Sequence, residues 1–429
     1  MTSTGNLQQN TPSPMYRWTV LILVSLAMFG NYYIYDSMAP ILDMLKTDLG
    51  FTDTMNGMLN SLYSVAAIVI LMFAGIVIDK IGVRKSILFF GIVCSIAALF
   101  SYLSTDSTQM LASRLLLGFG AEPLIVAVTT ALAKWFKGKE LGFAFGINLT
   151  IARLGSFAAD WSPTWASDYY NNWQDPLYIA FIIGLTCIFG GVTYYYMEKN
   201  AERRYNLGDA GETDKFVISD ILTLPKSYWY IVILCFTFYS AVFPFRTFAI
   251  KFYMDAHGAD RALAGQLNSV LIFASMIATP LFGILADKIG KRASMMMLGS
   301  ILILPVYLLL VYAGVSIYVP IIMLGISFSL IPAVMWPSVA YLVDEKKLGT
   351  GYSLMTAIQQ VGVLAFNYLL GWANDFSSAS GDNPDGYALG MWILSILGVI
   401  GLIFAYLLRR SELGPGNHGL EAITGKENG

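Results

Sequence analysis

The sequence predicts an all-α membrane protein with twelve transmembrane helices in two pseudo-symmetric six-helix bundles. Three observations support this fold class. The chain of 429 residues is 56% hydrophobic and 13% charged, whereas a soluble domain carries about 25% charged residues. Twelve apolar segments are long enough to cross a bilayer. A charged motif that follows the second of these segments recurs after the eighth, as expected for two related halves.

Charge and cysteine content argue against several classes of protein. The net charge of −2 and the lack of a basic stripe argue against a nucleic-acid partner. The three cysteines lie inside apolar segments without CxxC spacing, so the sequence predicts neither a disulfide framework nor a metal site. No nucleophile–base pair or phosphate-binding loop stands out in the sequence. We therefore expect no enzyme activity and no cofactor.

The apolar segments set the predicted spans and domains. A bilayer core about 30 Å thick needs about 20 apolar helical residues. We place the spans at roughly 18–38, 55–78, 86–104, 109–133, 140–161, 176–198, 227–250, 262–286, 293–313, 316–342, 349–372 and 387–409. The predicted domains are a tail (1–17), a first bundle (18–198), a charged linker (199–226) with a short amphipathic helix around 216–224, a second bundle (227–410) and a tail (411–429).

Positive charges predict the orientation of the spans. Of the 26 lysines and arginines, 20 lie on the side of the bilayer that holds both tails. The loops on the opposite side hold three, namely Lys46, Lys251 and Arg261. Because loops rich in Lys and Arg stay on the cytoplasmic side, both termini are predicted to be cytoplasmic.

An internal repeat relates the two halves. Gly75-Ile-Val-Ile-Asp79-Lys80-Ile-Gly82-Val-Arg84-Lys85 recurs 208 residues later as Gly283-Ile-Leu-Ala-Asp287-Lys288-Ile-Gly290-Lys291-Arg292. At an offset of 207 residues, Gly155 matches Gly362. An in-register repeat after six spans predicts two parallel halves, related by an axis along the membrane normal.

The doubled motif resembles the signature loop of the major facilitator superfamily. A closer resemblance, to the branch that contains the lysosomal MFSD-type dipeptide transporters, rests on these runs: Tyr33-Ile-Tyr35-Asp36, Gly118-Phe-Gly120-Ala-Glu122, Trp135-Phe-Lys-Gly-Lys-Glu140-Leu, Ala152-Arg153-Leu-Gly155-Ser156 and Ile331-Pro-Ala-Val-Met-Trp336-Pro337-Ser338-Val-Ala. The resemblance implies the major facilitator fold and transport of dipeptides by alternating access. Short loops and the lack of an obvious N-terminal dileucine signal favour a plasma membrane, or a bacterial inner membrane, over a lysosomal one.

The repeated loops, Gly75–Lys85 and Gly283–Arg292, are predicted to be conformational latches without a substrate role. Asp79 and Asp287 end their spans where the N-terminus of a neighbouring helix offers a positive dipole. Arg84 and Arg292 are placed to contact lipid headgroups. We call these two segments the latch loops.

Five ionisable residues stand out inside the predicted spans. A charge at the centre of a membrane helix costs at least about 2.5–3.5 kcal/mol, so such a residue is a functional candidate by default. The five are Asp36, Arg114, Glu122, Arg153 and Arg246. Arg114 is predicted to hold span four to neighbouring backbone, which is a structural role.

Glu122 and Arg153 are predicted to bind a zwitterionic solute near the middle of the membrane, where transporter sites lie. Arginine can bind a carboxylate through two parallel hydrogen bonds, and a glutamate can accept from an α-ammonium. In the resembling family the acid and the arginine at these positions hold the peptide termini. The alternative is a mutual ion pair that neutralises both charges. At the repeat offset the second half carries Ser329 and Gln360 at these positions.

Several polar and aromatic residues are weaker candidates for the same cavity. Side chains of these types in a membrane helix also serve as interhelical hydrogen-bonding or packing groups, and both interpretations stay open. They are Tyr35, Tyr63, Asn148, Asn268, Trp336 and Gln359. Trp336 lies between Pro332 and Pro337, which loosen its span locally.

Asp36 and Arg246 are predicted to form an outer gate between the halves. Subtracting the offset of 207 from Arg246 gives position 39, three residues from Asp36, so both lie at nearly the same depth. The alternative is that Arg246 extends to the headgroups and Asp36 caps a helix end.

Two function classes remain: a transporter, and a membrane receptor or assembly factor that keeps the fold without transport. The predicted substrate is a small zwitterion, above all a dipeptide; a small organic anion held by Arg153 alone is the alternative. Uniport and proton symport both stay open, with Glu122 and Asp36 as the acids that could titrate. We expect a monomer whose partners are this solute, the lipid bilayer and, in coupled transport, protons.

Overall fold

The computed structural model of the protein describes residues 12–136, 140–205, 221, 223–312, 314–344, 347–415 and 417–422. Within them, twelve helices are long and apolar enough to span a membrane, which confirms the predicted fold. The first six are α1 (Pro14–Asp36), α2 (Asp53–Ile81), α3 (Val83–Leu103), α4 (Ser107–Phe136), α5 (Leu141–Asp160) and α6 (Gln174–Glu202). The second six are α7 (Lys226–His257), α8 (Arg261–Ile289), α9 (Arg292–Ile303, continued by Val306–Tyr312), α10 (Tyr318–Leu342), α11 (Leu348–Phe376) and α12 (Ala388–Glu412). Residues 206–220 of the predicted linker, with most of the amphipathic helix expected around 216–224, lie outside the described residues.

The internal repeat is visible in the helix ends. The side chain of Thr52 accepts a hydrogen bond from the Met55 amide at the start of α2, and the side chain of Asp260, 208 residues later, caps the start of α8. Such caps satisfy amide groups that the first helical turn leaves free. Gly82 and Gly290 follow α2 and α8 with φ of +84° and +64°, a backbone conformation that favours glycine. Both latch loops therefore begin their turn at a glycine with positive φ, although the second continues through Lys291 at φ +53° before α9 begins.

The bundle has two ends, which we name by the chain. The terminal face carries the two tails and the latch loops, because twelve antiparallel spans return the chain to its starting side. The distal face carries the connections after α1, α3, α5, α7, α9 and α11. A short helix, Leu42–Leu49, follows α1 at the distal face and was not predicted.

The two halves meet at the distal end of the bundle. Met38, Leu42 and Leu45, which belong to the first half, pack into the hydrophobic core of the second half. On α8, a Cβ at Gly265 would collide with the Asp160 carbonyl of α5, whereas a Cβ at Gly283 would meet nothing within 4 Å. In the described part of the chain, the hydrogen bonds between the halves likewise lie at the distal end and at mid-depth. The halves thus diverge toward the terminal face.

Candidate functional site

Glu122 lies midway along α4, and its carboxylate is held from one side only. The Tyr63 hydroxyl on α2 donates to Oε1 at 2.9 Å, and the Gln360 side-chain amide on α11 donates to the same oxygen at 3.2 Å. Oε2 accepts no hydrogen bond from a described residue, and the Glu122 side chain is partly exposed. The carboxylate is therefore oriented by the protein with one oxygen left for another donor.

Arg153 on α5 is held in a comparable way by the second half. Its Nη1 donates to the Ser275 carbonyl at 3.0 Å and to the Thr279 hydroxyl at 3.2 Å, both on α8. The guanidinium lies 6.0 Å from the centroid of the Phe328 ring. Within the described residues, Nε and Nη2 donate to no acceptor. These two atoms form the edge of a guanidinium that can bind a carboxylate through two hydrogen bonds.

Glu122 and Arg153 do not pair with each other. Neither residue forms a salt bridge with any residue in the described part of the chain, so the interpretation as a mutual ion pair is not what the structure shows. Two partly buried groups of opposite sign without counter-charges are costly in a low-dielectric interior. A ligand with one positive and one negative end would compensate both.

Aromatic side chains from both halves flank these two charges. The rings of Tyr35 and Tyr63 pack edge to face with centroids 4.7 Å apart. In the second half, the Trp336 indole donates to the Tyr239 hydroxyl at 3.0 Å, and its ring stacks on Tyr352 at 6.2 Å. Gln359 is partly exposed, and its side-chain oxygen accepts from the Cys235 thiol at 3.7 Å. These residues place aromatic rings, with their hydroxyl and indole groups, around the two charges.

Asn148 and Asn268 lie among packed helices. The Ser25 hydroxyl on α1 donates to Asn148 Oδ1 at 2.9 Å, which ties α1 to α5. The Asn268 amide donates to Asp160 at 2.9 Å and to the Arg246 carbonyl at 3.4 Å. Both side chains are buried. Their contacts are those of the interhelical hydrogen bonds that the sequence left as the alternative.

A second group of charges closes the distal end between the halves. Arg246 on α7 lies 3.5 Å from Asp36 on α1 and donates to Asp160 on α5 at 2.8 Å. Asp160 is completely buried, and Arg246 is 5% exposed. We call Asp36, Asp160, Arg246 and Asn268 the distal cluster. Its members bring together α1, α5, α7 and α8, so its charges cannot separate without opening this end of the bundle.

Arg114 is completely buried and contacts backbone rather than a cavity. Its guanidinium donates to the carbonyls of Ile34 at 3.1 Å and Tyr35 at 2.9 Å, and to the Asn60 side chain at 3.1 Å. These acceptors lie at the end of α1 and on α2. Arg114 thus joins three helices of the first half, as its structural interpretation predicts.

The basic residues of the latch loops have different partners in the two halves. In the first half, Arg84 pairs with Glu202 at the end of α6. In the second half, Arg292 pairs with Asp287 at 2.5 Å, and its guanidinium lies over the Tyr341 ring at 4.9 Å. Both pairs lie at the terminal face, far along the helices from Glu122. Neither of these two pairs includes Glu122 or Arg153.

Three residues with contacts between the halves were not among the predicted site residues. Asp160 lies inside the predicted span 140–161, so the rule that selects Arg153 also selects it. Gln360 appears only as the repeat equivalent of Arg153. Lys251 was wrongly assigned to a loop: α7 continues to His257, and Lys251 is 3% exposed, donating to Asp53 at 3.0 Å and to the Tyr387 hydroxyl at 2.7 Å. Its charge ended the predicted span too early, because a buried partner cannot be read from hydropathy.

Comparisons with known proteins agree with this architecture. The sequence model of the Major Facilitator Superfamily matches residues 24–253 and 245–425. The chain is 30% identical to the human lysosomal dipeptide transporter MFSD1 over 424 residues, covering 94% of this chain and 88% of that protein. It is 31% identical to the Bos taurus protein of the same name, covering 84% and 80%. A solved bacterial homologue of the human lysosomal transporter Spinster, in an inward-facing and occupied conformation, superposes with a TM-score of 0.72 at 16% identity over 93% of this chain and 98% of that one.

Proposed function

The chain belongs to the major facilitator superfamily of transporters, and from this premise we propose that it moves dipeptides or short peptides across a membrane. Glu122 binds the amino terminus of the peptide, and Arg153 binds its carboxylate. Transport proceeds by alternating access, in which the two six-helix halves rock about the central site. The relatives named as dipeptide transporters support this choice of substrate.

One observation carries the proposal: two opposite charges at mid-depth are oriented by the protein yet left without counter-charges. Glu122 Oε2 and the Nε–Nη2 edge of Arg153 have no hydrogen-bond partners among the described residues. A zwitterion is the solute class that satisfies both at once. An anion would satisfy Arg153 and leave Glu122 facing a like charge unless the carboxyl carried a proton.

The contacts between the halves support alternating access. Both charges of the site are held partly by the opposite half, through Gln360 for Glu122 and through α8 for Arg153. Closure of the terminal face and opening of the distal face would change both sets of contacts together with those of the distal cluster. Substrate binding and rearrangement of the halves would therefore be energetically linked.

The membrane and orientation follow from the charges outside the spans. Twelve apolar helices make this an integral membrane protein. The excess of Lys and Arg on the terminal face supports cytoplasmic termini. We place the protein in a plasma membrane, or in a bacterial inner membrane, with the distal face outside.

A ligand screen on the purified protein tests the proposal. We expect dipeptides to raise the melting temperature and to be taken up saturably by proteoliposomes, whereas single amino acids and monocarboxylates do so weakly. Stabilisation by monocarboxylates with no response to dipeptides would contradict the peptide assignment and support the anion alternative. No response to any small solute, with no uptake, would support a receptor.

A further inference from the structure

Gln360 holds the acidic side of the proposed site from across the interface between the halves. Its Nε2 donates to Glu122 Oε1 at 3.2 Å, and its Oε1 accepts from the Ser64 hydroxyl at 3.1 Å. Both partners belong to the first half, on α4 and α2. Gln360 is 8% exposed, so water has little access to these two hydrogen bonds. The amide is thus fixed at both ends.

The position of Gln360 is the pseudo-symmetric equivalent of Arg153. Gly155, two residues after Arg153, packs against the backbone of Phe29 on α1. Gly362, two residues after Gln360, packs against the ring of Phe236 on α7. Each member of the second pair follows its counterpart by 207 residues, so the register of α5 and α11 is the same relative to α1 and α7.

The two equivalent side chains perform the same bridging task with different charge. Arg153 reaches from the first half to α8 of the second, and Gln360 reaches from the second half to α2 and α4 of the first. An arginine at position 360 would lie against Glu122 and neutralise it, leaving Arg153 as the surplus charge. A glutamate there would add a second acid beside Glu122. The neutral amide orients Glu122 without cancelling its charge.

From this geometry we infer that Gln360 determines the charge class of the transported solute, by keeping the site at one positive and one negative group. The inference rests on the proposed function, because it assumes that Glu122 and Arg153 bind the two ends of a zwitterion. Gln360 acts through Glu122 and is a specificity-determining residue. Its neutrality selects free peptides over peptides with one end blocked.

Substitution of Gln360 by charged residues tests this inference through substrate ratios. The full-length protein is assayed in proteoliposomes with alanyl-alanine, its N-acetyl form (an anion) and its C-terminal amide (a cation). For Gln360→Arg, we expect the uptake ratio of the N-acetyl form to the free dipeptide to rise at least tenfold. For Gln360→Glu, which is nearly isosteric, the ratio of the amide to the free dipeptide should rise at least tenfold at neutral pH and above.

Two controls separate charge from packing. Gln360→Met removes the amide and keeps the volume, so the uptake of all three peptides should fall by similar factors. Gln266→Arg introduces the same charge on α8 near the distal surface, where the glutamine contacts Thr164, and should leave the ratios unchanged.

The result that overturns the inference is a pair of ratios that move no more in Gln360→Arg and Gln360→Glu than in Gln360→Met. Failure of the proposed function looks different. In that case the wild-type protein would not take up the free dipeptide, or Glu122→Ala would take it up as well as the wild type. If Gln360→Arg does not fold, Gln360→Glu alone decides the outcome.

Discussion

Two groups of charged residues lie between the halves of this transporter, and they differ in whether their charges are paired. In the distal cluster, Arg246 contacts both Asp36 and Asp160, and the arginine is 5% exposed. At mid-depth, Glu122 and Arg153 are partly exposed and contact neutral groups. Acidic and basic side chains thus lie in the same interface, paired with each other in the distal cluster and unpaired at mid-depth.

The difference indicates two tasks. Paired and buried charges hold one conformation, because breaking such a pair leaves an uncompensated charge and costs several kcal/mol. Charges that are oriented but left unpaired can be compensated by a ligand instead. The comparison predicts that changes at mid-depth alter binding, whereas changes in the distal cluster alter the balance between conformations.

The largest expected effect is that of Arg153→Ala, which should weaken dipeptide binding at least about 100-fold. The substitution removes two charge-assisted hydrogen bonds worth about 1.5–3 kcal/mol each. Arg153→Lys should also be severely impaired, because an ammonium cannot reproduce the planar fork. Binding is measured by calorimetry, and folding by the melting temperature, which should stay close to that of the wild type. Arg410→Ala, at an exposed arginine near the end of α12, is the matched control. Saturable uptake by Arg153→Ala at wild-type affinity would contradict the assignment of the binding site to Glu122 and Arg153.

The second prediction concerns the amino end of the substrate. Acetylating the amino group of a dipeptide should weaken binding by about tenfold or more, because Glu122 Oε2 loses its charged donor. In Glu122→Ala, which should itself bind the free dipeptide poorly, acetylation should make little further difference. Non-additivity of this kind is the mark of a direct contact. Equal binding of free and acetylated peptide by the wild type would favour the anion alternative.

The sequence predicted different parts of these two regions. The twelve spans, the repeat and the residues Glu122 and Arg153 follow from hydropathy and from the cost of charge in a membrane. Whether a polar side chain faces a cavity or a neighbouring helix does not follow, since both locations are equally distant from lipid. Asn148 is an example: its position in α5 is compatible with either, and only the packing of α1 decides that it binds Ser25.

Partners across the interface were the hardest to predict. The repeat offset placed Asp36 and Arg246 at the same depth, and the structure puts them 3.5 Å apart. The offset did not indicate that Asp160 would join them. Asp160 ends α5, and its contact with Arg246 depends on how α5 meets α7 and α8. Such contacts between separate helices depend on tertiary packing, which local composition does not predict.

The third prediction tests the distal cluster as a gate. Asp36→Asn removes one of the two carboxylates that face Arg246 and leaves the pair with Asp160. We expect the equilibrium to shift toward the distal-open state by about 1 kcal/mol, roughly fivefold, at the low end of typical coupling energies. A cysteine at Ser37, buried beside the cluster, reports the shift as faster thiol labelling in a background without native cysteines. The exposed Asp48 provides the control, Asp48→Asn.

A charge swap between Asp36 and Arg246 tests the same gate, and it needs a third substitution. In Asp36→Arg with Arg246→Asp, the new aspartate would face Asp160, so the swap is made together with Asp160→Asn. Partial recovery of transport lost in the single variants is the expected result. No recovery, with labelling at position 37 unchanged throughout, would show that these residues form no gate.

The smallest expected effect belongs to the latch loops, which lie at the terminal face and outside both groups of charges. Asp79→Asn should slow turnover about two- to fivefold, since a carboxylate near a helix N-terminus contributes about 0.3–1 kcal/mol, and should leave the dipeptide affinity unchanged. Asp287→Asn tests the equivalent residue, whose partner Arg292 is buried and lies over Tyr341. Its effect should be the larger of the two, because the substitution removes the carboxylate that faces a buried guanidinium. It should stay small, since Asp287 is 72% exposed and water reaches this pair. Turnover comes from the maximal uptake rate and affinity from calorimetry on the same preparation. A tenfold loss of affinity with normal turnover in Asp79→Asn would make the latch loop part of the binding site, and the division between paired charges that hold a conformation and unpaired charges that bind would no longer describe this molecule.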